Sequence, residues 1–230
     1  MQRIDILYNT KVMDKDLYEY YIALANNIQF LGSDNKKILF SSFQENEGKS
    51  TVAINVAKAL ADQGNKVLLL DVDTRKSSTA SRFKFRGKIE GLTSYLSGLV
   101  NIENVIYETD VQNLNMIPAG QVPPNPTALL QNKHFDIMLV ALEQYYDYII
   151  VDSPPIGAVI DAAVVAKKCN GTILVVEYNK TKRKSVIKAK EQLEISGSKF
   201  LGVILNKVDT KSLNYGDYGD YGNYGNYGKK

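Results

Sequence analysis

Short, unbroken apolar runs alternate along this chain with longer segments in which apolar residues recur every three or four positions. The runs fall at residues 38–42, 67–70, 148–151, 172–176 and 201–205. Without polar alternation, each reads as a strand buried on both faces, which is the habit of a parallel sheet covered by helices. The periodic segments read as those helices. Leu17, Tyr20, Tyr21, Leu24 and Ile28 predict a helix over about 14–30, its apolar face packed on the domain or on a second copy of the chain. Val52, Val56, Ala57, Leu60 and Ala61 predict a second helix, stopped at Gly64. Pro126 suits the first position of a helix or pair of helices running to about residue 146, and a Lys-rich helix is expected over 181–196. The middle of the chain predicts short helices at 91–98 and 102–107 and a strand at 114–117. Strands alternating with helices throughout imply an α/β fold, a single domain built on a doubly wound, mostly parallel sheet.

The chemistry gathers where three of these strands end. The run 38–42 breaks into Phe43-Gln44-Glu45-Asn46 and then Glu47-Gly48-Lys49-Ser50-Thr51 before the next helix. A strand, a short polar loop closing on Gly-Lys-Ser, and a helix are the layout of a nucleotide phosphate loop of the P-loop NTPase type; the alternative is a polar strand-to-helix turn with a surface lysine. In a phosphate loop the backbone N–H groups wrap phosphates, Lys49 reaches the β and γ oxygens, and the Ser50 hydroxyl ligates Mg2+. The run 67–70 ends in Asp71-Val72-Asp73-Thr74-Arg75, and 148–151 ends in Asp152-Ser153-Pro154-Pro155. Both deliver carboxylates to the carboxyl edge of the sheet, which faces solvent and is where open α/β sheets bind ligands. An aspartate after a strand also caps helices, so one of the pair Asp71 and Asp73 has that reading as well. Asp152 is suited to hold Mg2+ through water. His134, the only histidine, is expected on a helix surface with no catalytic role.

Composition narrows the picture. At 230 residues and 44% hydrophobic content the chain can bury one good-sized core. A net charge of +3 argues for neither nucleic acid nor a membrane surface, and the lysines at 182, 184, 188 and 190 with Arg183 read as a solvated face. The single cysteine, Cys169, cannot form an internal disulfide, which points to a reducing compartment. No apolar run approaches the roughly 18 residues of a membrane span, and no signal-peptide core is visible, so a soluble cytoplasmic protein is expected.

From residue 214 onward the chain repeats Tyr-Gly with a period of three, placing Tyr215, Tyr218, Tyr221, Tyr224 and Tyr227 beside glycines with no aliphatic residue to bury. Such a composition predicts a disordered arm that presents hydroxyl groups. The chain therefore divides into an N-terminal helical segment at 1–35 with a possible oligomer contact, a nucleotide-binding domain at 36–212, and a Tyr/Gly-rich tail at 213–230.

The ordered set Glu47-Gly48-Lys49-Ser50, Leu68-Leu69-Leu70-Asp71-Val72-Asp73-Thr74-Arg75 and Ile149-Ile150-Val151-Asp152-Ser153-Pro154, closed by the tyrosine cluster, resembles the bacterial tyrosine kinases. The likeness is to the separate cytoplasmic kinases of Gram-positive capsule and exopolysaccharide operons. It covers nearly the whole chain, including Pro123-Pro124-Asn125-Pro126 and Leu205-Asn206-Lys207. It implies an ATP- and Mg2+-dependent protein-tyrosine kinase that phosphorylates its own tail at Tyr215, Tyr218, Tyr221, Tyr224 and Tyr227 and regulates polysaccharide synthesis and export. By the same resemblance Glu47, Gly48, Lys49, Ser50 and Thr51 cradle ATP, with Ser50 on the metal. Asp71 orients and deprotonates the incoming tyrosine, Asp73 and Asp152 hold the metal's water shell, and Asn206 contacts adenine. The implied partners are a transmembrane adaptor of the polysaccharide co-polymerase type that holds the kinase at the inner face of the membrane, further copies of the chain, and a phosphotyrosine phosphatase.

Three departures stand out. Phe43 occupies the place of the usual first glycine of the loop, and Glu45-Asn46 replaces a usual Pro-Gly pair, so Glu45 sets a negative charge near the phosphates. In some relatives a glutamate and two arginines on the first helix join a ring; here Glu19 remains, but Ile22 and Ala25 stand in place of the arginines. The rival readings are a partitioning or septum-positioning ATPase, disfavoured because Gln44 stands where those carry a second lysine, and a nucleotide-binding regulatory subunit without kinase activity.

Overall fold

The computed structural model describes residues 2–6, 15–77, 82–84 and 89–209. The expected tail, with its five tyrosines, lies outside the described residues. In chain order the elements are β1 (Gln2–Arg3), β2 (Asp5–Ile6), α1 (Lys15–Phe30), β3 (Lys37–Ser42), α2 (Lys49–Asp62), β4 (Val67–Asp71) and β5 (Phe83–Lys84). There follow α3 (Leu92–Leu96), β6 (Tyr107–Glu108), β7 (Leu114–Ile117), α4 (Pro126–Leu130), α5 (Lys133–Leu142) and β8 (Tyr148–Asp152). The described chain closes with α6 (Asp161–Ala166), β9 (Gly171–Glu177), α7 (Arg183–Ile195) and β10 (Phe200–Asn206).

Eight strands form one sheet in the order β1-β6-β7-β4-β8-β3-β9-β10, parallel except between β6 and β7. The central strands are apolar on both faces because both are covered. Leu39, Leu68, Leu70, Ile149 and Val151 pack with residues of α3 to α7, while Ile38, Phe40, Leu69 and Ile150 pack with α1 and α2. Burying a leucine or isoleucine side chain is worth about 1.5–3 kcal/mol, so these paired layers fix the register of β3, β4 and β8. That register is what assembles the site. β4, β8 and β3 lie side by side, and Asp71 sits opposite Asp152 in the ladder.

Several expectations need correction. Residues 102–107 do not form one helix: a 3-10 turn at Ile102–Asn104 gives way to β6. The N-terminal segment also supplies an edge strand, β1, paired with β6. On α1 the buried stripe is Tyr21, Ala25 and Ile28, whereas Leu17 and Tyr20 are exposed. The reason is local. Tyr18 turns toward α2, donating its hydroxyl to Asp62 with the Lys58 ammonium 5.3 Å from the centre of its ring, and a stripe through 18, 21, 25 and 28 rotates Leu17 and Tyr20 outward. Short α6 was not legible in the pattern. Pro126 does open α4, where Asn125 accepts the Ala128 N–H, and His134 is exposed.

Candidate active site

The loop between β3 and α2 is closed by backbone geometry that only certain residues allow. Asn46 has φ 65°, the left-handed region that asparagine tolerates better than most side chains, so the missing Pro-Gly pair is replaced without loss of the turn. Gly48 has φ 92°, and a Cβ there would stand 2.1 Å from Asn206 Nδ2. No other residue fits that place. The Asn206 amide, at the end of β10, donates to the Glu47 carbonyl at 2.9 Å, and Lys207 Nζ donates to the Asn46 carbonyl at 2.6 Å. Glu47 is buried. Its carboxylate accepts the Gln44 N–H at 2.8 Å and the Thr181 hydroxyl. The phosphate loop is thus clamped to the ends of β9 and β10 by Thr181, Asn206 and Lys207.

Lys49 and Ser50 begin α2, with Thr51 behind them in its first turn. Lys49 is buried, and its ammonium lies 3.3 Å from Asp152 Oδ1, 3.9 Å from Asp73 Oδ2 and 3.1 Å from Ser50 Oγ. Asp71 is wholly buried. It accepts the Asp73 N–H at 3.0 Å and the Ser77 hydroxyl. Burial, with the Asp152 charge adding to it, pushes the Asp71 carboxyl up to about 8. Burial also raises the Asp73 carboxyl, against the opposing pull of its hydrogen bonds and of Lys49. The expectation of a solvent-facing edge is therefore corrected: the chain folds 72–77 over the strand ends and removes these charges from water. One lysine is set among three aspartates at the ends of two adjacent strands.

The donor set fits a nucleotide with its divalent cation. A helix N-terminus, a glycine-shaped loop, a lysine and a serine hydroxyl suit phosphate oxygens and Mg2+. Among the described residues no three His, Cys, Asp or Glu side chains are gathered to hold a metal directly. A cavity of about 580 Å3 opens at the opposite edge of the sheet, beside Lys66, Asp110 and Tyr145, and holds none of these groups. Glu45 is exposed and pairs with Lys76 at 2.9 Å, which moderates the charge it brings to the loop.

Sequence reading missed the support of the acidic loop. Arg75 follows Asp73, and its Nε donates to Asp161 Oδ2 at 2.6 Å while Nη2 reaches Asp161 Oδ1 at 3.3 Å and Thr127 Oγ1 at 3.1 Å. The Thr127 hydroxyl donates to Asp161 Oδ1 at 2.6 Å, and Asp161 is 1% exposed. This fork ties the loop after β4 to α4 and α6. Arg75 lay inside a recognised motif, but nothing in the spacing linked it to a residue 86 positions away.

Comparison with known proteins agrees with this geometry. The AAA domain family matches residues 35–181. Over 217 residues, 94% of each chain, the sequence is 51% identical to the tyrosine-protein kinase CpsD of Streptococcus agalactiae serotype III (strain NEM316). The crystal structure of the chimerical protein CapA2B2 superposes with a TM-score of 0.81 at 30% identity, covering 89% of this chain and 92% of that one. The kinase domain of the Escherichia coli tyrosine kinase ETK gives 0.79 at 31% identity, covering 84% and 76%. A glycine-shaped phosphate loop, a lysine held between carboxylates from two strands, and a likeness of this extent to a tyrosine-protein kinase lead to one assignment: the chain belongs to the bacterial tyrosine kinases.

Proposed function

We propose that this kinase transfers the γ-phosphoryl group of ATP to its own tail tyrosines, Tyr215, Tyr218, Tyr221, Tyr224 and Tyr227, and thereby regulates capsular or extracellular polysaccharide synthesis and export. The observation that carries the reading is Lys49 held between Asp152 and Asp73 beside a buried Asp71. Bound ATP with Mg2+ supplies the phosphoryl group and neutralises its charge in transfer. The residues of the chain do the rest. The loop N–H groups and Lys49 bind phosphate oxygens, Ser50 ligates the cation, and Asp73 and Asp152 orient its water shell. Thr51 closes the phosphate end, and Asn206 holds the Glu47 carbonyl beside Gly48 and faces the base.

Asp71, once ionised, takes the proton of the incoming phenol. The raised proton affinity that burial gives its carboxyl makes that ionised form a stronger base than an ordinary aspartate. The Ser77 hydroxyl already donates to Asp71. The tyrosine hydroxyl is proposed to replace it on Asp71 during transfer.

No described helix is long and apolar enough to cross a membrane. The proposed setting is the inner face of the membrane, reached through a transmembrane adaptor of the polysaccharide co-polymerase type that activates the kinase. Transfer in trans within an assembly of copies, and reversal by a phosphotyrosine phosphatase, complete the cycle. Incubation with labelled ATP and Mg2+, followed by phosphotyrosine detection, tests the reading. A nucleotide-binding regulatory subunit would incorporate no label.

A further inference from the structure

Helix α7 breaks the usual rule for helix charge. Acidic residues stabilise a helix N-terminus and basic ones its C-terminus, through the helix dipole. Here the N-cap is Lys182, followed by Arg183 and Lys184, with no acid in the first turn and no base in the last. Lys188 lies one turn further on the same face as Lys184. All four cations are exposed. Their neighbours are engaged elsewhere: Lys180 and Lys207 both pair with Glu177, and Lys190 pairs with Glu194. Among the described residues none of the four has a carboxylate within ion-pair distance. Of the acids of α7, Glu194 pairs with Lys190, and Glu191 lies one turn beyond Lys188 without pairing to it. A local cost of this kind, without a compensating contact, marks a surface kept for something else.

We propose that the basic first half of α7 is the docking surface for this chain's own tail once its tyrosines are phosphorylated. The inference rests on the proposed tail phosphorylation. Three observations select this occupant. First, the chain leaves the sheet beside α7. Tyr178 donates its N–H to the Asn206 carbonyl at 2.9 Å, and Lys207 Nζ lies 3.0 Å from Glu177 Oε2, so the exit from β10 adjoins the segment that leads into Arg183. Second, the reach matches. The six residues 210–215 span at most about 20 Å, which is also about the length of a 13-residue helix. Third, the charge matches only after modification. Residues 215–230 balance Asp217 and Asp220 against Lys229 and Lys230, and each phosphate adds about −1.5 to −2. A short tether raises the local concentration of the anionic segment to about the millimolar range, enough to hold modest ion pairs.

Docking withdraws the modified arm from the acidic site, where it is repelled, and shields it from the phosphatase. The phosphorylated and unmodified tails thus occupy different places on one domain, which makes α7 a readout of the kinase's own history.

The test uses the full chain with the five tail tyrosines changed to phenylalanine. A fluorescent synthetic peptide of residues 213–230 carrying five phosphotyrosines is titrated in chelator without nucleotide, and anisotropy is followed. The expected result is saturable binding that weakens steeply with salt. Binding should also fall at least tenfold in Lys182→Gln/Arg183→Gln/Lys184→Gln/Lys188→Gln, whose circular dichroism is unchanged, and be absent for the unphosphorylated peptide. Equal affinity for both proteins, no binding, or displacement by ADP with Mg2+ overturns the proposal. So does a result in which the α7 variant loses only binding to phosphatidylserine vesicles, which assigns the surface to lipid. Because the peptide is phosphorylated chemically, the outcome does not depend on kinase activity. Absence of phosphotyrosine after incubation with ATP is the separate failure of the functional reading.

Discussion

The ammonium of Lys49 lies 3.3 Å from a carboxylate oxygen of Asp152, joining two residues 103 positions apart. Both are buried, so Lys49, the proposed phosphate-binding group, is also a buried counter-charge. Lys49→Met is expected to abolish phosphoryl transfer. It also leaves Asp73 and Asp152 without their cation in low dielectric, at a cost of about 3–5 kcal/mol for a broken buried pair. Calorimetry should therefore show a lower Tm beside the lost activity. An unchanged Tm would show that the carboxylates do not depend on Lys49.

Asp71→Asn should do the opposite to stability. With its carboxyl near 3.8 in the unfolded chain and about 8 in the folded one, the folded state holds a proton that the unfolded state has released across that window. Stability from this group is full below pH 4 and falls as pH rises toward 8. Nucleotide-free protein should lose Tm between pH 5 and 8, and Asp71→Asn should flatten that slope and raise Tm at pH 8 while removing kinase activity. Parallel Tm profiles for the two proteins would contradict the buried, raised carboxyl.

At Gly48, alanine meets both a left-handed φ and the Asn206 amide at 2.1 Å. Gly48→Ala should therefore weaken nucleotide binding by at least tenfold in calorimetric titration. Glu45→Pro with Asn46→Gly restores the usual loop residues and should tighten it. The gain is expected to stay within about threefold, because Lys76 already offsets Glu45 and exposed pairs contribute below about 1 kcal/mol.

Arg75→Ala removes the fork that satisfies Asp161, which is 1% exposed. The expected loss is about 2–3 kcal/mol, at the low side for a broken buried pair because the guanidinium itself is partly solvated. Denaturant melts read the loss directly, and Arg75→Lys should recover only part of it, since lysine cannot bridge both oxygens.

The fold was legible wherever periodicity was strong. Unbroken apolar runs marked β3, β4, β8, β9 and β10, and the ends of three of them carried the chemistry. What the pattern left unread has physical reasons. Residues 102–108 divide between a 3-10 turn and a strand too short to show a period. The buried stripe of α1 follows Tyr18, whose partner on α2 is set by tertiary packing. Among the site residues, Lys49, Ser50, Asp71, Asp73 and Asp152 stood out because each ends a strand, follows one within two residues or begins a helix in a recognisable motif. Thr181, Asp161, Thr127 and Ser77 did not, because each acts through a long-range or loop contact that no local spacing encodes. Burial of the acidic loop was likewise invisible, since a carboxylate at a strand end looks the same in sequence whether water or residues 72–77 cover it.

The most direct measurement is a mass-spectrometric map of phosphotyrosine after incubation with ATP and Mg2+ together with the activating adaptor, for the wild-type chain, Lys49→Met and Asp71→Asn. The predicted result is phosphate on Tyr215, Tyr218, Tyr221, Tyr224 and Tyr227 of the wild type, and none on either variant or in the presence of a chelator. Phosphotyrosine on the tail of Lys49→Met, or a wild-type tail left unmodified while ATP is consumed, would contradict the assignment of these residues as a site for tyrosine phosphorylation.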